Sequence, residues 1–142
     1  MQVLCQLEVL GEDFLPQLDD FLADESRDRS VRDYARRLVL ETWQRRESLD
    51  DCIQGVAEHW ELKRMATVDR NVMRVAVCEM LHRPDVPPHA AINEAVEIGK
   101  TFGTADSGAF VNGILDAVLR KHQESLKEPA PAMLAPPNSP AS

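Results

Sequence analysis

The sequence predicts an all-α protein, and three observations lead to that fold class. Apolar residues recur at intervals of three and four along most of the chain, which is the spacing of one face of an amphipathic helix. Glycine and proline interrupt these patterns at a few points, where helices are expected to end or begin. No segment shows the alternation of apolar and polar residues that is typical of a half-buried strand. We therefore expect about seven helices in one domain, residues 1–127.

Length and composition fit a small globular domain. The chain has 142 residues, of which 44% are hydrophobic and 28% charged, a typical globular balance. No apolar run approaches the roughly 18 residues that span a membrane, and no basic leader suggests secretion, so we expect a cytoplasmic protein. Residues 128–142 contain five prolines and no periodicity, which predicts a disordered tail.

The net charge is −8, which argues against broad nonspecific binding to nucleic acid. The charge is uneven along the chain. Residues 1–30 hold eight acids and two arginines, whereas the other 112 residues hold sixteen acids and fourteen bases. Residues 31–142 are nearly neutral overall, and they can still present a local basic face.

The first two helices are predicted over residues 1–10, where Gly11 is a good stop, and over residues 14–22. The first pattern begins at Met1 without a capping residue. We therefore hypothesise that the true start of the protein lies upstream and that the missing residues are basic.

The middle of the chain predicts two more amphipathic helices. Residues 31–46 form the first, with Ser30 as its expected N-cap. Ser48 is expected to open the second, whose inner face ends at Trp60.

A pattern that is apolar on nearly every side covers residues 68–82, after Thr67 as the expected cap. Such a helix is usually buried at the centre of a bundle, so we expect it to be the core helix. Arg70 and Arg74 are four residues apart and share one of its faces.

Two helical patterns joined by a short polar turn fill residues 89–119. Gly103 is expected in the left-handed conformation that ends the first helix, and Asp106 or Ser107 can cap the second. Three further residues interrupt the apolar faces. Gly113 suggests the close approach of another helix, and Asn93 and Asn112 suggest buried amides that bond to backbone.

The sequence shows no constellation for catalysis or for metal binding. The histidines lack HExxH spacing, and neither a phosphate-binding GxxxxGK[ST] nor a GxSxG motif occurs. The three cysteines, Cys5, Cys52 and Cys78, are far apart and lie on apolar patterns, so we expect small buried side chains. The protein is therefore not expected to be an enzyme or to need a metal or cofactor.

The turn between the last two helices is the strongest candidate for a binding site. Lys100 offers a cation, and the helix that starts near Asp106 offers free N–H groups that attract phosphate. Phe102 and Phe110 flank the turn, and aromatic rings stack unpaired bases. From the residues alone, both phenylalanines fit the hydrophobic core better.

Two segments of the chain resemble the NusB family of bacterial transcription antitermination factors. Residues 90–116 read AAINEAVEIGKTFGTADSGAFVNGILD, and residues 64–81 read RMATVDRNVMRVAVCEML. The resemblance extends over about residues 1–120. It implies two small helical bundles packed together, in a protein that occurs as a monomer or a homodimer.

The resemblance also implies partners and site residues. Its RNA ligand is single-stranded boxA RNA of ribosomal transcripts. A small-subunit ribosomal protein, NusE, binds with it in an antitermination complex on RNA polymerase. The implied RNA-binding residues are Lys100, Phe102, Asp106 and Phe110. The implied partner-binding residues are Cys5 and Asp69, of which the acid suits a basic ribosomal protein.

Three departures from the family pattern keep other interpretations open. An Arg-rich segment usually precedes the position of Met1, Ala109 replaces a residue that is often basic, and Cys5 replaces a common tyrosine. The alternative is a helical protein–protein interaction module that has lost RNA binding. A third interpretation is the accessory domain of an RNA-modifying methyltransferase, although a Pro-rich tail follows the domain in place of a catalytic one.

Overall fold

The computed structural model describes residues 1–25 and 27–127, and within them all regular structure is helical. The α-helices are α1 (Gln2–Leu10), α2 (Leu18–Glu25), α3 (Arg29–Gln44), α4 (Arg46–Gln54), α5 (Thr67–His82), α6 (Pro88–Phe102) and α7 (Ser107–Lys127). Two 3-10 helices cover Gly11–Gln17 and Leu62–Arg64. The prediction of an all-α fold with about seven helices is confirmed. The predicted disordered tail, residues 128–142, lies outside the described residues.

Helix α5 lies at the centre of the molecule and contacts α1, α3, α4, α6 and α7. It contributes to a large core cluster with α4, α6 and α7. A smaller cluster joins α1, α2, α3 and the first 3-10 helix, and Val75 of α5 packs against it. The predicted core helix and the two packed bundles are therefore confirmed. Across the described residues, no helix is both long and apolar enough to cross a bilayer.

A cluster of ion pairs fastens α1 and the middle of α4 to one face of α5. Arg70 of α5 donates to Glu8 of α1 over 2.7 Å, and Arg74 contacts the same carboxylate. Arg74 also makes a two-pronged contact with Asp50 of α4, at 2.6 and 2.8 Å. Burial would raise the pKa of Glu8, but the two guanidinium groups outweigh it and lower that pKa. The shared face predicted for Arg70 and Arg74 is therefore where α1 docks.

Several helix boundaries differ from the sequence-based expectations. Asp28, not Ser30, caps α3, since its carboxylate accepts the backbone N–H of Ser30 at 2.9 Å. Helix α4 starts at Arg46, so Ser48 lies inside it. Thr67 is the first residue of α5 rather than its cap. The stop at Gly11 is confirmed, because this residue has a φ of 68°, where glycine is favoured.

The predicted packing roles of Asn93, Asn112 and Gly113 are wrong, because all three residues are exposed. Apart from its own turn of helix, no atom of residues 1–25 and 27–127 lies within 4 Å of the position that a Cβ at Gly113 would occupy. Helices α6 and α7 pack through their small and aliphatic faces, which leaves these residues on the outside. The fully buried amide is instead Asn71 of α5, whose Nδ2 donates to the carbonyl of Thr67 at 3.0 Å.

Candidate nucleic-acid interface

The Ser107 hydroxyl helps to hold the turn between α6 and α7. Ser107, only 1% exposed, accepts the backbone N–H of Thr104 through its Oγ at 2.9 Å. Gly103 has a φ of −98°, so the predicted left-handed conformation is wrong. The position is crowded instead: a Cβ there would lie 2.7 Å from the carbonyl of Gly99 and closer still to the Ser107 hydroxyl. This close contact lets α7 begin directly beside the end of α6.

Two aromatic side chains meet at the surface beside this turn. The rings of Trp60 and Phe110 are 5.4 Å apart at 75°, an edge-to-face contact. Trp60 is 58% exposed, so the prediction that it ends the inner face of a helix is wrong. Gln54 fixes its loop, since its amide donates to the Trp60 carbonyl at 2.7 Å and accepts the N–H of Leu62 at 2.9 Å. The tryptophan is therefore presented to solvent by a braced loop.

The two rings form one wall of a surface cavity of about 310 Å³, which we call the aromatic cleft. The cleft is lined by Trp60, Arg64, Met65, Ala66, Asp69, Thr104, Asp106, Ser107 and Phe110. Three separate segments contribute: the loop after α4, the first turn of α5 and the start of α7. The structure thus brings Asp106 and Phe110 together and adds Asp69 to them.

Asp69 is a buried acid that lines the aromatic cleft, with only 7% exposure. Its Oδ1 has no hydrogen-bond partner within the part of the chain that the structure describes. Asp106, across the cleft, is exposed. The cleft therefore combines a buried acceptor with aromatic surface.

Cations flank the aromatic cleft. Arg64 lines it. The Arg64 side chain is 81% exposed, and its Nε lies 3.8 Å from a carboxylate oxygen of Glu61. Lys100 lies beside it on α6, and its aliphatic carbons cover Gly108. The Lys100 side chain is 61% exposed and its Nζ lies 3.7 Å from Glu97, a weak surface pair that a phosphate can replace.

Phe102 and Cys5 lie elsewhere, in a second cavity of about 440 Å³ that we call the N-terminal groove. The groove is lined by Met1, Gln2, Cys5, Gln6, Phe21, Val68 and Phe102. Phe102 is 52% exposed, so it is not a core residue. Burial raises the pKa of the Cys5 thiol, which favours its neutral form. The structure therefore separates Phe102 from Phe110, and Cys5 from Asp69.

Sequence reasoning missed Trp60 and Arg64 as candidates for the site. Trp60 fitted the helical spacing of residues 49–60, and only the end of α4 at Gln54 turns it outward. One signal was present in the sequence: Gly55 follows directly after that helix.

The fold and the two cavities define an all-helical binding protein. In residues 1–25 and 27–127, no group of three or more His, Cys, Asp or Glu residues is placed to hold a metal ion. A family model described as the NusB family matches residues 1–120, and the chain belongs to that family.

Comparisons with individual proteins agree with the family match. A transcription antitermination protein NusB from Anaeromyxobacter dehalogenans is 47% identical over 119 residues, which is 83% of each chain. The structure of NusB from T. maritima is 36% identical, covers 88% of this chain and 89% of its own, and has a TM-score of 0.76. A structure of NusB and NusE with double-stranded RNA is 24% identical, covers 84% and 89%, and has a TM-score of 0.74; this likeness concerns the fold alone.

Proposed function

We propose that this protein is a transcription antitermination factor that acts in the cytoplasm. It binds single-stranded boxA RNA of ribosomal transcripts together with the ribosomal protein NusE, as part of a complex on RNA polymerase. The observation that carries the proposal is the aromatic cleft, where Trp60 and Phe110 form an exposed corner beside Arg64 and Lys100. Membership of the NusB family supports it, as do relatives named for antitermination.

The cleft suits an unpaired strand better than a duplex. Single-stranded nucleic acid is bound by aromatic rings that stack bases and by cations that follow the backbone. Trp60 offers its ring to solvent, and the start of α7 at Ser107 adds backbone N–H groups. Because the net charge is −8, phosphate contacts would be confined to this local cationic face.

The N-terminal groove is the proposed site for the protein partner. It offers the exposed ring of Phe102 and the half-buried Cys5. The groove is built partly from α1 and α2, within the acidic first 30 residues. The acidic balance of this part of the chain complements a basic ribosomal protein.

The test is fluorescence anisotropy of a labelled boxA RNA, with and without NusE, over a range of salt concentrations. Three exposed cations belong to this region: Arg64 lines the cleft, Lys63 precedes Arg64 in the sequence, and Lys100 packs over Gly108 of α7. If each neutralises one phosphate, the RNA affinity should fall with about the second power of salt concentration, or roughly 18-fold between 50 and 200 mM. NusE should strengthen the binding.

Two variants distinguish phosphate contacts at the cleft from the effect of positive charge elsewhere on the surface. Lys100→Ala should lower the salt exponent by about 0.7. Arg37→Ala, which removes an exposed arginine of α3 outside the cleft, should leave the exponent unchanged. Binding of NusE without any RNA binding would overturn the proposal in favour of a protein–protein interaction module.

A further inference from the structure

One arginine links helix α1 to the loop beside the aromatic cleft. We call residues 55–66 the cleft loop, since they join α4 to α5 and contribute four of the residues that line the cleft. Arg70 of α5 donates to the carbonyl oxygens of Leu62 and Met65 in this loop, at 3.1 and 2.9 Å. Its Nε and its other terminal nitrogen donate to the two carboxylate oxygens of Glu8 in α1, each at 2.7 Å. We call this chain of contacts from α1 to the cleft loop the Arg70 bridge.

The chemistry of arginine suits this bridge. A guanidinium is a planar fork of five N–H groups, so it can pair with a carboxylate along one edge and still donate to carbonyl groups from another nitrogen. The side chains of Arg70 and Glu8 are only 13% and 16% exposed, so salt screens their pairing little. Lysine would keep the charge, but its ammonium group is a single point and cannot span both ends.

The α1 end of the Arg70 bridge lies next to the N-terminal groove. Cys5, which lines that groove, is three residues before Glu8 and therefore shares its side of α1. The Cys5 thiol also lies 3.6 Å from the side-chain nitrogen of Asn71, the residue that follows Arg70 in α5. The bridge thus runs from the wall of one cavity to the wall of the other.

A second brace holds the cleft loop from α4. Gln54, the last residue of α4, donates to the carbonyl oxygens of Ala57 and Trp60 and accepts the N–H of Leu62. Leu62 is therefore held from two sides, its N–H by Gln54 and its carbonyl by Arg70. The Gln54 brace begins in α4 and ends in the loop, whereas the Arg70 bridge continues to α1.

We propose that Arg70 is a positioning residue that couples the two cavities, so that a protein partner seated on α1 strengthens RNA binding at the cleft loop through Glu8. This inference rests on the proposed function, which assigns the partner to the N-terminal groove and the RNA to the aromatic cleft. A partner that holds α1 in place also holds Glu8, and with it the guanidinium and the two loop carbonyls. Part of the ordering of the cleft loop is then complete before RNA arrives, so the RNA binds more tightly.

The experiment measures the dissociation constant of labelled boxA RNA by anisotropy, without NusE and with saturating NusE. The ratio of the two constants is the enhancement factor, which should be at least roughly five-fold for the unaltered chain. Glu8→Gln cuts the Arg70 bridge at α1 and leaves the loop carbonyls to Arg70. In this variant the enhancement factor should fall by about two-fold or more, while the affinity for RNA alone stays the same.

Three further variants separate coupling from general effects on the loop or the fold. Asp50→Asn changes the other carboxylate of the ion cluster, which pairs with Arg74, so it should preserve the enhancement factor. Gln54→Ala removes the brace from α4, so it should weaken RNA binding equally with and without NusE. Arg70→Lys keeps the charge but loses the fork, so it should lower the enhancement factor as Glu8→Gln does. Thermal unfolding of each variant controls for folding.

Hydrogen–deuterium exchange, followed by mass spectrometry, tests the Arg70 bridge without RNA. NusE should slow the exchange of backbone amides in the cleft loop of the unaltered chain, because loop opening becomes less favourable. This protection should be lost in Glu8→Gln and kept in Asp50→Asn.

The outcomes distinguish this inference from the proposed function. If boxA RNA does not bind, the RNA-binding proposal fails, and the exchange measurement still decides whether α1 is linked to the cleft loop. If NusE does not bind, the proposed partner is wrong and the coupling falls with it. If both bind, an enhancement factor near one, or one that Glu8→Gln leaves unchanged, overturns the inference alone. Coupling is reciprocal, so a variant that merely removes a contact with NusE would weaken NusE binding equally with and without RNA; that result for Glu8→Gln would also overturn it.

Discussion

Replacing Arg74 with methionine should test whether the ion cluster fastens α1 and α4 to α5. The Arg74 side chain is 9% exposed and contacts Glu8, Asp50 and Asn71. Methionine keeps much of the aliphatic packing and removes the guanidinium. The variant therefore isolates the charge and its hydrogen bonds.

The expected loss of stability follows from the two carboxylates, Glu8 and Asp50, that remain when the Arg74 guanidinium is removed. Removing one partner of a buried ion pair costs about 3–5 kcal/mol, because the other charge stays buried without compensation. Glu8 keeps Arg70, and the Asp50 side chain is 24% exposed, so water can partly compensate both carboxylates. We therefore expect a loss at the lower end of this range, about 3 kcal/mol. This is a large share of a typical free energy of unfolding of about 5–15 kcal/mol.

Urea unfolding monitored by circular dichroism measures this loss of stability. The matched control is Arg36→Met, which breaks a surface pair with Asp19 whose side chains are 50% and 72% exposed; it should cost less than about 1 kcal/mol. Equal small losses in both variants would refute the fastening role of Arg74.

The same cluster predicts the behaviour of the protein in acid. The pKa of Glu8 is lowered from its ordinary 4.5 in the folded state. Its contribution to stability is therefore present above pH 4.5 and is lost as pH falls through the lower, folded pKa. Glu8→Gln should flatten the decline of stability in that range, and an unchanged decline would contradict the assignment.

Three further predictions concern single residues. Burial and the hydrogen bond to Glu79 raise the pKa of Tyr34 to about 12. Since Tyr34 is the only tyrosine in the sequence, absorbance at 295 nm should follow its ionisation directly. The stability of the folded protein should fall as pH rises from 10 towards 12. Burial raises the pKa of Cys78 to about 11, so mass spectrometry after brief alkylation of the native protein should find it unmodified; rapid labelling would contradict its burial. Gly103→Ala should destabilise the protein in thermal unfolding, whereas exposed Gly113→Ala should stabilise it by up to about 1 kcal/mol; the opposite order would refute the crowding at Gly103.

The sequence predicts the helices well, because helical periodicity is a local property. The pattern over residues 68–82 identified the central helix, and α5 runs from Thr67 to His82. Helix ends are less predictable because several residues can cap the same helix. Ser30 had the right chemistry, but Asp28 takes the role two residues earlier.

Burial of individual residues is harder to predict than helix position. Asn93 and Asn112 interrupt apolar runs, which suggested buried amides, yet both face outward. A helical face about 100° wide is enough to bury α6 and α7 against each other, so a residue beside that face can be polar without a partner. Asn71, which is buried, gave no such signal because its neighbours in sequence include charged residues.

The candidate site could be predicted only in part, because it is assembled from segments that are distant in sequence. Phe102 and Phe110 are eight residues apart and were predicted to serve one RNA surface. The chain turns sharply at Gly103, so Phe102 ends α6 in the N-terminal groove while Phe110 starts α7 in the aromatic cleft.

The first turn of α5 lies between the two cavities. Val68 lines the N-terminal groove, and Asp69, the next residue, lines the aromatic cleft. Adjacent residues of a helix point about 100° apart, so one turn can serve both cavities. The proposed protein partner and the proposed RNA would then contact the same turn from two sides. Because α5 is packed on five other helices, that turn can hold both sites in a fixed relation without a conformational change.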